Sequence, residues 1–205
     1  MSVQATLYYL YDPMCSWCWG FKPVWDEVKA RLQNEVNIVY VVGGLAPETQ
    51  QPMDAEMQTY LQQTWQKVAE HTGVTFNHDF WTSNTPKRST YPACKAVLVA
   101  RHYGLELEMY TAIQQLYYQQ AGNPSEYENL YRLAEGLGLE RQRFSKQIHS
   151  EEIASLLQQE IMLAEQLGAQ GLPSLVLARD ETAHFIEHSY TDVEENLKKV
   201  RLLLK

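Results

Sequence analysis

The sequence predicts an α/β fold in which a βαβ unit and a ββα unit are separated by a long helical segment. Short runs of strand-forming residues occur near the two ends of the sequence, and apolar residues at helical spacing fill the middle. Glycine and proline lie at the boundaries, where turns are expected. With 205 residues, 45% of them hydrophobic and 20% charged, the protein is long enough for one large globular domain or two small ones.

The first unit combines two predicted strands and one helix. Residues 5–11 form an extended run rich in β-formers, which Asp12-Pro13 ends. Apolar residues at helical spacing then predict a helix over residues 16–32. Residues 36–42 are mostly apolar, which is typical of a strand buried on both faces. This order predicts a βαβ unit with a right-handed crossover.

The middle of the sequence has helical patterns and no convincing strand. The C-terminal unit has strand patterns at 174–178 and 183–187, joined by a turn near Arg179-Asp180, and a closing helix over 192–204 with Thr191 as its N-cap. We therefore predict a domain made of residues 1–47 and 168–205 and a helical insertion over residues 48–167. The helices predicted within the insertion span residues 53–70, 92–103, 106–120, 125–137, 140–147 and 151–167.

Charge and cysteine content narrow the classes of partner and compartment. The net charge of −8 argues against nucleic acid and anionic membranes as partners, because both attract basic patches. No run in the sequence approaches the roughly 18 apolar residues of a membrane-spanning helix. The N-terminus lacks the basic region and cleavage site of a signal peptide, and three cysteines is the wrong number for a disulfide scaffold. We expect a cytoplasmic protein with reduced thiols.

The most informative motif is Cys15-Ser16-Trp17-Cys18, between the first strand and the helix that follows it. A helix N-terminus carries about half a unit of positive charge and unpaired N–H groups, and both favour a thiolate. A cysteine in that place can attack a disulfide near neutral pH. The motif therefore predicts dithiol–disulfide chemistry, with Cys15 as the nucleophile and Cys18 as the resolving thiol.

Two other interpretations of this motif remain open: half of a zinc site, and a pair of inert buried cysteines. Zinc would need two further ligands at close spacing. His184 and His188 form an H-x-x-x-H pair, but they lie far along the sequence in a predicted strand. Residues four apart on a strand are about 13 Å apart, which is too far for one ion. We predict no metal site.

A second motif, Gly171-Leu172-Pro173-Ser174, precedes the third predicted strand. Proline at the start of a strand is common, because it need not donate to the ladder. Its place between the helical segment and the ββα unit favours a cis X–Pro bond, which costs little. The N–H and C=O of Leu172 would then be free to pair with an extended substrate peptide. We expect Leu172 and Pro173, together with Ser16 and Trp17, to bind substrate.

The order of elements, residues 12–21 (Asp-Pro-Met-Cys-Ser-Trp-Cys-Trp-Gly-Phe) and residues 171–174 resemble the DsbA branch of the thioredoxin superfamily. The resemblance is strongest to FrnE-like members and predicted protein-disulfide isomerases with a Cys-Ser/Pro-Trp-Cys centre, and it covers essentially the whole sequence. It implies a thioredoxin fold (βαβ–ββα) interrupted by a large all-helical insertion. It also implies a thiol–disulfide oxidoreductase or protein-disulfide isomerase that uses Cys15 and Cys18, with Pro173 as the cis-proline.

The resemblance also implies partners. These are protein or peptide thiols and disulfides, with a thiol reductant or glutathione for recycling. No dissociable cofactor is expected, apart from glutathione as a redox co-substrate. The sequence does not indicate an oligomeric state.

The sequence departs from the resembled family at two places. Ser16-Trp17 replaces the Pro-His of the exporting DsbA enzymes, which argues against strong oxidase activity. Tyr9 lies six residues before the first cysteine, where many superfamily members have a buried acid. Proton transfer to the second cysteine then needs another group or water, and Asp12 and Lys22 are both near in sequence.

The same branch includes kappa-class glutathione transferases and 2-hydroxychromene-2-carboxylate isomerases, and such a glutathione-dependent enzyme is the alternative function. Those proteins lack the second cysteine and hold glutathione with a serine, so Cys18 favours the oxidoreductase. A non-catalytic binding module is a further alternative. Cys94 lies at a predicted helix start, and we expect it to be a buried structural residue.

Overall fold

A mixed four-stranded sheet joins the two ends of the protein in a computed structural model that describes residues 5–179 and 182–205. Its strands are β1 (Thr6–Tyr11), β2 (Asn37–Val42), β3 (Ser174–Arg179) and β4 (Thr182–Ile186), in the order β2-β1-β3-β4. β1 pairs parallel with β2 and antiparallel with β3, and β3 pairs antiparallel with β4. The predicted turn near Arg179-Asp180 lies partly outside the described residues.

One helix completes the predicted βαβ unit and another completes the predicted ββα unit. Helix α1 (Ser16–Leu32) connects β1 to β2, and α9 (Val193–Leu203) follows β4. The remaining helices of the described residues lie between β2 and β3, as predicted, and none of the helices there is long and apolar enough to cross a membrane. They are α2 (Ala55–Thr72), α3 (Phe80–Ser83), α4 (Tyr91–Arg101), α5 (Glu106–Tyr118), α6 (Tyr127–Gly136), α7 (Arg141–Ile148) and α8 (Glu151–Gln166).

β1 lies in the middle of the core, because it is paired on both edges and covered on its faces. The side chains of Leu7, Tyr9, Leu10 and Tyr11 are fully buried. The ring of Tyr9 stacks on that of Trp25 from α1, with centroids 4.5 Å apart. Aromatic pairs of this kind contribute about 1 kcal/mol beyond the area they bury. The strand that leads into the cysteine motif is therefore rigidly held.

A partly buried ion cluster fastens the helical segment to the sheet. Arg101 of α4 donates to Glu106 of α5 at 2.8 Å, to Glu160 of α8 and to the backbone carbonyl of Tyr40 in β2. Glu160 also accepts the backbone N–H of Val42 at 2.8 Å. The cluster thus connects α4, α5 and α8 to the edge strand β2.

The elements differ from expectation in three details. Only Val41 and Val42 of β2 are fully buried, because β2 lies at the sheet edge, although side chains on both of its faces pack against apolar clusters. The N-cap of α9 is Asp192, whose side chain accepts the N–H of Glu195, and not Thr191. The four-residue helix α3 had no counterpart among the predicted helices, since one turn is too short for a periodic pattern.

Candidate active site

Cys15 is the N-cap of α1. Its backbone is extended, with φ −80° and ψ 118°, and its Sγ accepts the N–H of Cys18 at 3.3 Å. No acidic residue lies in the first turn of the helix. The sulfur therefore accepts a helix N–H that has no partner within the helix, and it faces the positive end of the helix dipole. This environment stabilises a thiolate.

The cis-proline loop, residues 171–174, lies directly against this sulfur. The Leu172–Pro173 peptide bond, predicted to be cis, is cis in the structure. The Cys15 thiol donates to the C=O of Leu172 at 3.3 Å. The expectation that this C=O is free is therefore wrong, because the Cys15 thiol is hydrogen-bonded to it. Among the described residues no partner is found for the Leu172 N–H.

Cys18 is more deeply placed than Cys15. It is fully buried, whereas 5% of Cys15 is exposed, and both are free thiols. Burial raises the pKa of Cys18 well above its ordinary value, and its hydrogen bond with Cys15 and the charge of Cys15 raise it further. The Cys18 thiol is thus held in its protonated form when Cys15 is also reduced.

The other two residues of the motif differ in exposure. Ser16 is buried, with 9% exposed, so its side chain offers little surface to a substrate. Trp17 is half-buried and its ring contacts those of Tyr190, at 5.0 Å, and His71, at 6.0 Å. These three rings form an aromatic wall beside the motif, contributed by α1, α2 and the loop before α9.

Of the two candidate proton-transfer groups, the structure places Asp12 beside the thiols. Asp12 is fully buried, and its backbone carbonyl accepts the N–H of Cys15 at 3.0 Å. Lys22 is half-buried one turn beyond Cys18 and forms an ion pair with Asp26 at 2.7 Å. Tyr9 contributes only a buried hydroxyl, 3.5 Å from that of Tyr110.

Comparison with known proteins identifies the family of this sequence. The sequence profile described as DSBA-like thioredoxin domain matches residues 6–198. The chain belongs to the DSBA-like thioredoxin domain family. Its fold is the DsbA-like thioredoxin fold with a helical insertion, as predicted, whereas the exact domain boundaries at residues 47 and 168 stay predictions.

Several proteins of known structure are similar to this DsbA-like protein. A Nitrosomonas europaea protein provisionally described as a protein disulfide isomerase is 26% identical, with a TM-score of 0.87 and coverage of 98% for both proteins. The cytosolic disulfide reductase DsbM from Pseudomonas aeruginosa is 26% identical, with a TM-score of 0.75 and coverage of 97% and 96%, and it has also been solved with GSH. A 2-hydroxychromene-2-carboxylate isomerase, 14% identical with a TM-score of 0.60, shares the fold alone.

Similarity to curated sequences is weaker. The ClpXP adapter protein SpxH of Halalkalibacterium halodurans is 21% identical over 93% of this protein and 67% of its own length. The SpxH of Bacillus subtilis is 22% identical, and the alignment covers 82% of this protein and 56% of that relative. The DsbA-like protein thus spans little more than half the length of the second relative.

The zinc interpretation depends on where His184 and His188 lie. No group of three or more histidine, cysteine, aspartate or glutamate residues that could hold a metal ion occurs among the described residues. His184 is exposed on β4, but His188 lies beyond the end of that strand, against the ring of Phe21 at 4.4 Å. The prediction that both histidines lie on one strand is therefore wrong, because β4 ends at Ile186.

Sequence reasoning missed two features of this site. Tyr190 and His71 give no motif, because they reach the site from elements distant in sequence. The predicted burial of Cys94 is confirmed, but its thiol also donates to Asp12 Oδ2 at 3.4 Å. The Asp-Pro dipeptide before the motif was the available signal, since a buried aspartate after a strand can bond the turn that follows it.

Proposed function

We propose that this DsbA-like protein is a thiol–disulfide oxidoreductase that works through a Cys15–Cys18 dithiol–disulfide couple. The observation that carries the proposal is the position of the Cys15 sulfur. It lies between the N–H of Cys18 and the C=O of Leu172, at 3.3 Å from each, at a helix N-terminus. A thiol in that place is poised to attack and is already beside the backbone that a substrate peptide would use.

In the proposed reaction, the Cys15 thiolate attacks one sulfur of a substrate disulfide. A Cys15–substrate disulfide forms, and the other substrate sulfur leaves as a thiolate and takes up a proton. Cys18 then loses its proton and attacks the Cys15 sulfur, which releases the second substrate thiol and leaves a Cys15–Cys18 disulfide. Two electrons pass from the enzyme to the substrate. In isomerisation, a substrate thiol attacks in place of Cys18.

Substrate binding is assigned to both sides of the sulfur. On one side, the unpartnered N–H of Leu172 next to Pro173 suits backbone pairing with an extended peptide. The Leu172 C=O would become available when Cys15 gives up its proton. On the other side, the half-buried ring of Trp17 offers an apolar surface. Ser16 contributes mainly through its place in the first turn of α1.

Recycling is assigned to a thiol reductant, with glutathione as the first candidate. Two glutathione thiols would supply the two electrons that reduce the Cys15–Cys18 disulfide, and no dissociable cofactor is needed. DsbM, which is similar to this protein, has been solved with GSH. Such chemistry suits the cytoplasm, where a glutathione pool keeps thiols reduced.

The test is reduction of a disulfide-bonded substrate protein such as insulin, with glutathione as the electron source. We expect Cys15→Ser to lose turnover entirely and Cys18→Ala to accumulate a mixed disulfide that mass spectrometry detects. Cys94→Ser is the matched control, a third thiol removed outside the motif, and should keep turnover. Retained activity in Cys15→Ser would end the proposal.

The reduction potential decides between reductase and isomerase. Titration in glutathione buffers, followed by tryptophan fluorescence and thiol trapping, measures the reduction potential of the Cys15–Cys18 couple. A value above about −200 mV supports a disulfide donor or isomerase, and one near or below about −270 mV supports a thioredoxin-like reductase. If no two-electron couple is found, the oxidoreductase proposal fails.

The adapter role named for the two SpxH relatives makes a binding module the second candidate. The side chain of Tyr60, 59% exposed, lies in the first half of α2, and the buried residues of that helix, Trp65 and Val68, lie in its second half. A binding module would retain client binding in the Cys15→Ala/Cys18→Ala double variant. The glutathione-dependent isomerase alternative requires instead that tight glutathione binding survive Cys18→Ala.

A further inference from the structure

Asp12 is a fully buried carboxylate that directly follows β1. Its Oδ1 accepts the N–H of Met14 at 2.8 Å, and its Oδ2 accepts the N–H of Leu45 at 2.8 Å and the hydroxyl of Thr90 at 2.7 Å. The Cys94 thiol donates to the same Oδ2. All of these partners are donors, which matches the acceptor-only character of an ionised carboxylate and offsets the cost of removing it from water.

These hydrogen bonds join three separate segments around the nucleophile. They are the turn at residues 12–15 that carries Cys15, the loop at residues 43–46 after β2, and the start of α4. The loop at 43–46 in turn lies against the cis-proline loop, since a Cβ added at Gly43 would lie 2.7 Å from Cδ1 of Leu172. Asp12 therefore fixes the turn that carries Cys15 relative to the cis-proline loop on the other side of the Cys15 sulfur.

The carboxylate also supplies negative charge beside the buried thiols. Burial is the main cause that raises the pKa of Cys94, and the charge of Asp12 and its hydrogen bond raise it further. Burial is the main cause that raises the pKa of Cys18, and the effects of Cys15 follow. The charge of Asp12 raises the same pKa by a smaller amount, and a hydrogen bond from the Asp12 backbone lowers it.

The other titratable groups that face Cys18 carry no charge near neutral pH. They are phenols, and burial raises the pKa of each above its ordinary value of 10.0. Among the described residues that influence the pKa of Cys18, Asp12 is therefore the one that contributes a carboxylate. The phenols belong to Tyr9 of β1, Tyr110 and Tyr118 of α5, and Tyr190 of the loop before α9.

We propose that Asp12 is the positioning residue of this site. It fixes the turn that carries Cys15 against the cis-proline loop, and its charge adds to burial in disfavouring the thiolates of Cys18 and Cys94, so that Cys15 alone attacks. The inference rests on the proposed thiol–disulfide exchange, because it concerns the timing of that reaction. In this proposal, Asp12 slows the attack of Cys18 on the Cys15–substrate disulfide. A substrate thiol then has time to attack that disulfide instead.

The second step can be timed with Ellman's reagent, an aromatic disulfide whose thiol absorbs visible light. Attack by Cys15 releases one aromatic thiolate and leaves the other bonded to Cys15. Cys18 then loses its proton to water, bonds to the Cys15 sulfur and releases the second thiolate. Stopped-flow measurement across pH therefore gives the pH profile of each release separately.

We expect Asp12→Asn to move the pH profile of the second release to lower pH, so that this step is about two- to threefold faster at neutral pH, because the charge of Asp12 is the smallest of the causes that raise the pKa of Cys18. Thr90→Val is the matched control, because it removes one hydrogen bond from Oδ2 but keeps the charge. Its profile should stay in place. A purely structural role for Asp12 would lower the melting temperature in both variants and shift neither profile.

Two results would overturn the inference. One is an Asp12→Asn profile that does not move to lower pH, including a slower release at every pH, which would make Asp12 the proton acceptor. The other comes from the unaltered protein and needs no folded variant: absorbance at 240 nm should show no more than one thiolate per molecule up to about pH 9, and two would contradict it. Absence of any second release would instead refute the proposed function.

Discussion

At the scale of single residues, Cys15 and Cys18 have opposite environments although they belong to one motif. Cys15 receives a helix N–H and lies beside a backbone carbonyl, whereas Cys18 is fully buried. The motif and the preceding strand were sufficient to predict which thiol caps the helix. They could not predict the buried carboxylate network, because Leu45, Thr90 and Cys94 meet Asp12 only through the tertiary fold.

Cys94 should be dispensable for activity but not for stability. Cys94→Ser keeps a donor for Asp12, so we expect thiol exchange within about twofold of the unaltered protein. Cys94→Val removes the donor and should lower the free energy of unfolding by about 1 kcal/mol, the net value of a hydrogen bond to a buried group. Insulin reduction and urea unfolding measure the two effects. Loss of turnover in Cys94→Ser with both motif cysteines intact would contradict this.

His188 should make the fold sensitive to mild acid. Its ring nitrogens are buried with no partner among the described residues, and burial lowers its pKa from 6.5 to about 4. The nearby backbone of Ile186 opposes this shift in pKa, and the charge of Lys199 adds to it. Because the unfolded protein binds the proton first, stability is complete above about pH 6.5 and declines as the pH falls towards 4, by up to about 1.4 kcal/mol per pH unit.

The control for this prediction is His188→Phe, which keeps a ring against Phe21 and Tyr190 but cannot be protonated. Its free energy of unfolding should vary less between pH 6.5 and pH 4 than that of the unaltered protein. Denaturant unfolding at several pH values gives both curves. Parallel curves would mean that His188 is not buried as a neutral ring in solution.

At the scale of elements, the hydrophobic periodicity predicted nearly every helix and strand to within two residues. Helix α1 agrees at both ends, because Cys15 caps it and its apolar stripe is regular. The two misses have different causes. Exposure of β2 depends on its place at the sheet edge, which one strand's sequence does not encode, and α9 begins one residue later because the Asp192 carboxylate caps it.

The contact between α1 and α2 depends on the absence of a side chain at Gly20. A Cβ added there would lie 2.6 Å from Cγ1 of Val68, a β-branched residue with little rotamer freedom in a helix. Gly20→Ala gains about 1 kcal/mol of helix propensity, but overpacking costs about 1–3 kcal/mol. We therefore expect a net loss of about 1 kcal/mol by urea unfolding.

Two further variants separate these contributions. Gly136→Ala, at the end of α6 with no atom within 4 Å of the added carbon, is the matched control and should be neutral or slightly stabilising. Val68→Ala in the Gly20→Ala background makes room for the new methyl group and should recover part of the loss. Equal effects of Gly20→Ala and Gly136→Ala would show that helix packing at Gly20 is not limiting.

At the scale of the whole molecule, the helical insertion and the sheet must hold one arrangement for the site to exist. Asp12 bonds residues of the β2–α2 loop and α4 at the thiol end, and the Arg101 cluster joins α4, α5 and α8 to β2. The sequence predicted the insertion but not these joints, since ion pairs between distant elements leave no periodic pattern.

Arg101 is therefore expected to be the most costly surface-accessible cation to remove. Its side chain is 27% exposed, and those of its partners Glu106 and Glu160 are 18% and 11% exposed. Arg101→Met leaves two carboxylates without their cation, and breaking a buried pair from one side costs about 3 kcal/mol at the lower end of the usual range. Arg132→Met is the control, because its side chain is 68% exposed beside Glu128 and such pairs contribute less than about 1 kcal/mol. If denaturant unfolding gives similar losses of stability for the two variants, the cluster does not fasten the insertion to the sheet. If Arg101→Met also loosens the site, the rate of Cys15 alkylation should change together with the free energy of unfolding.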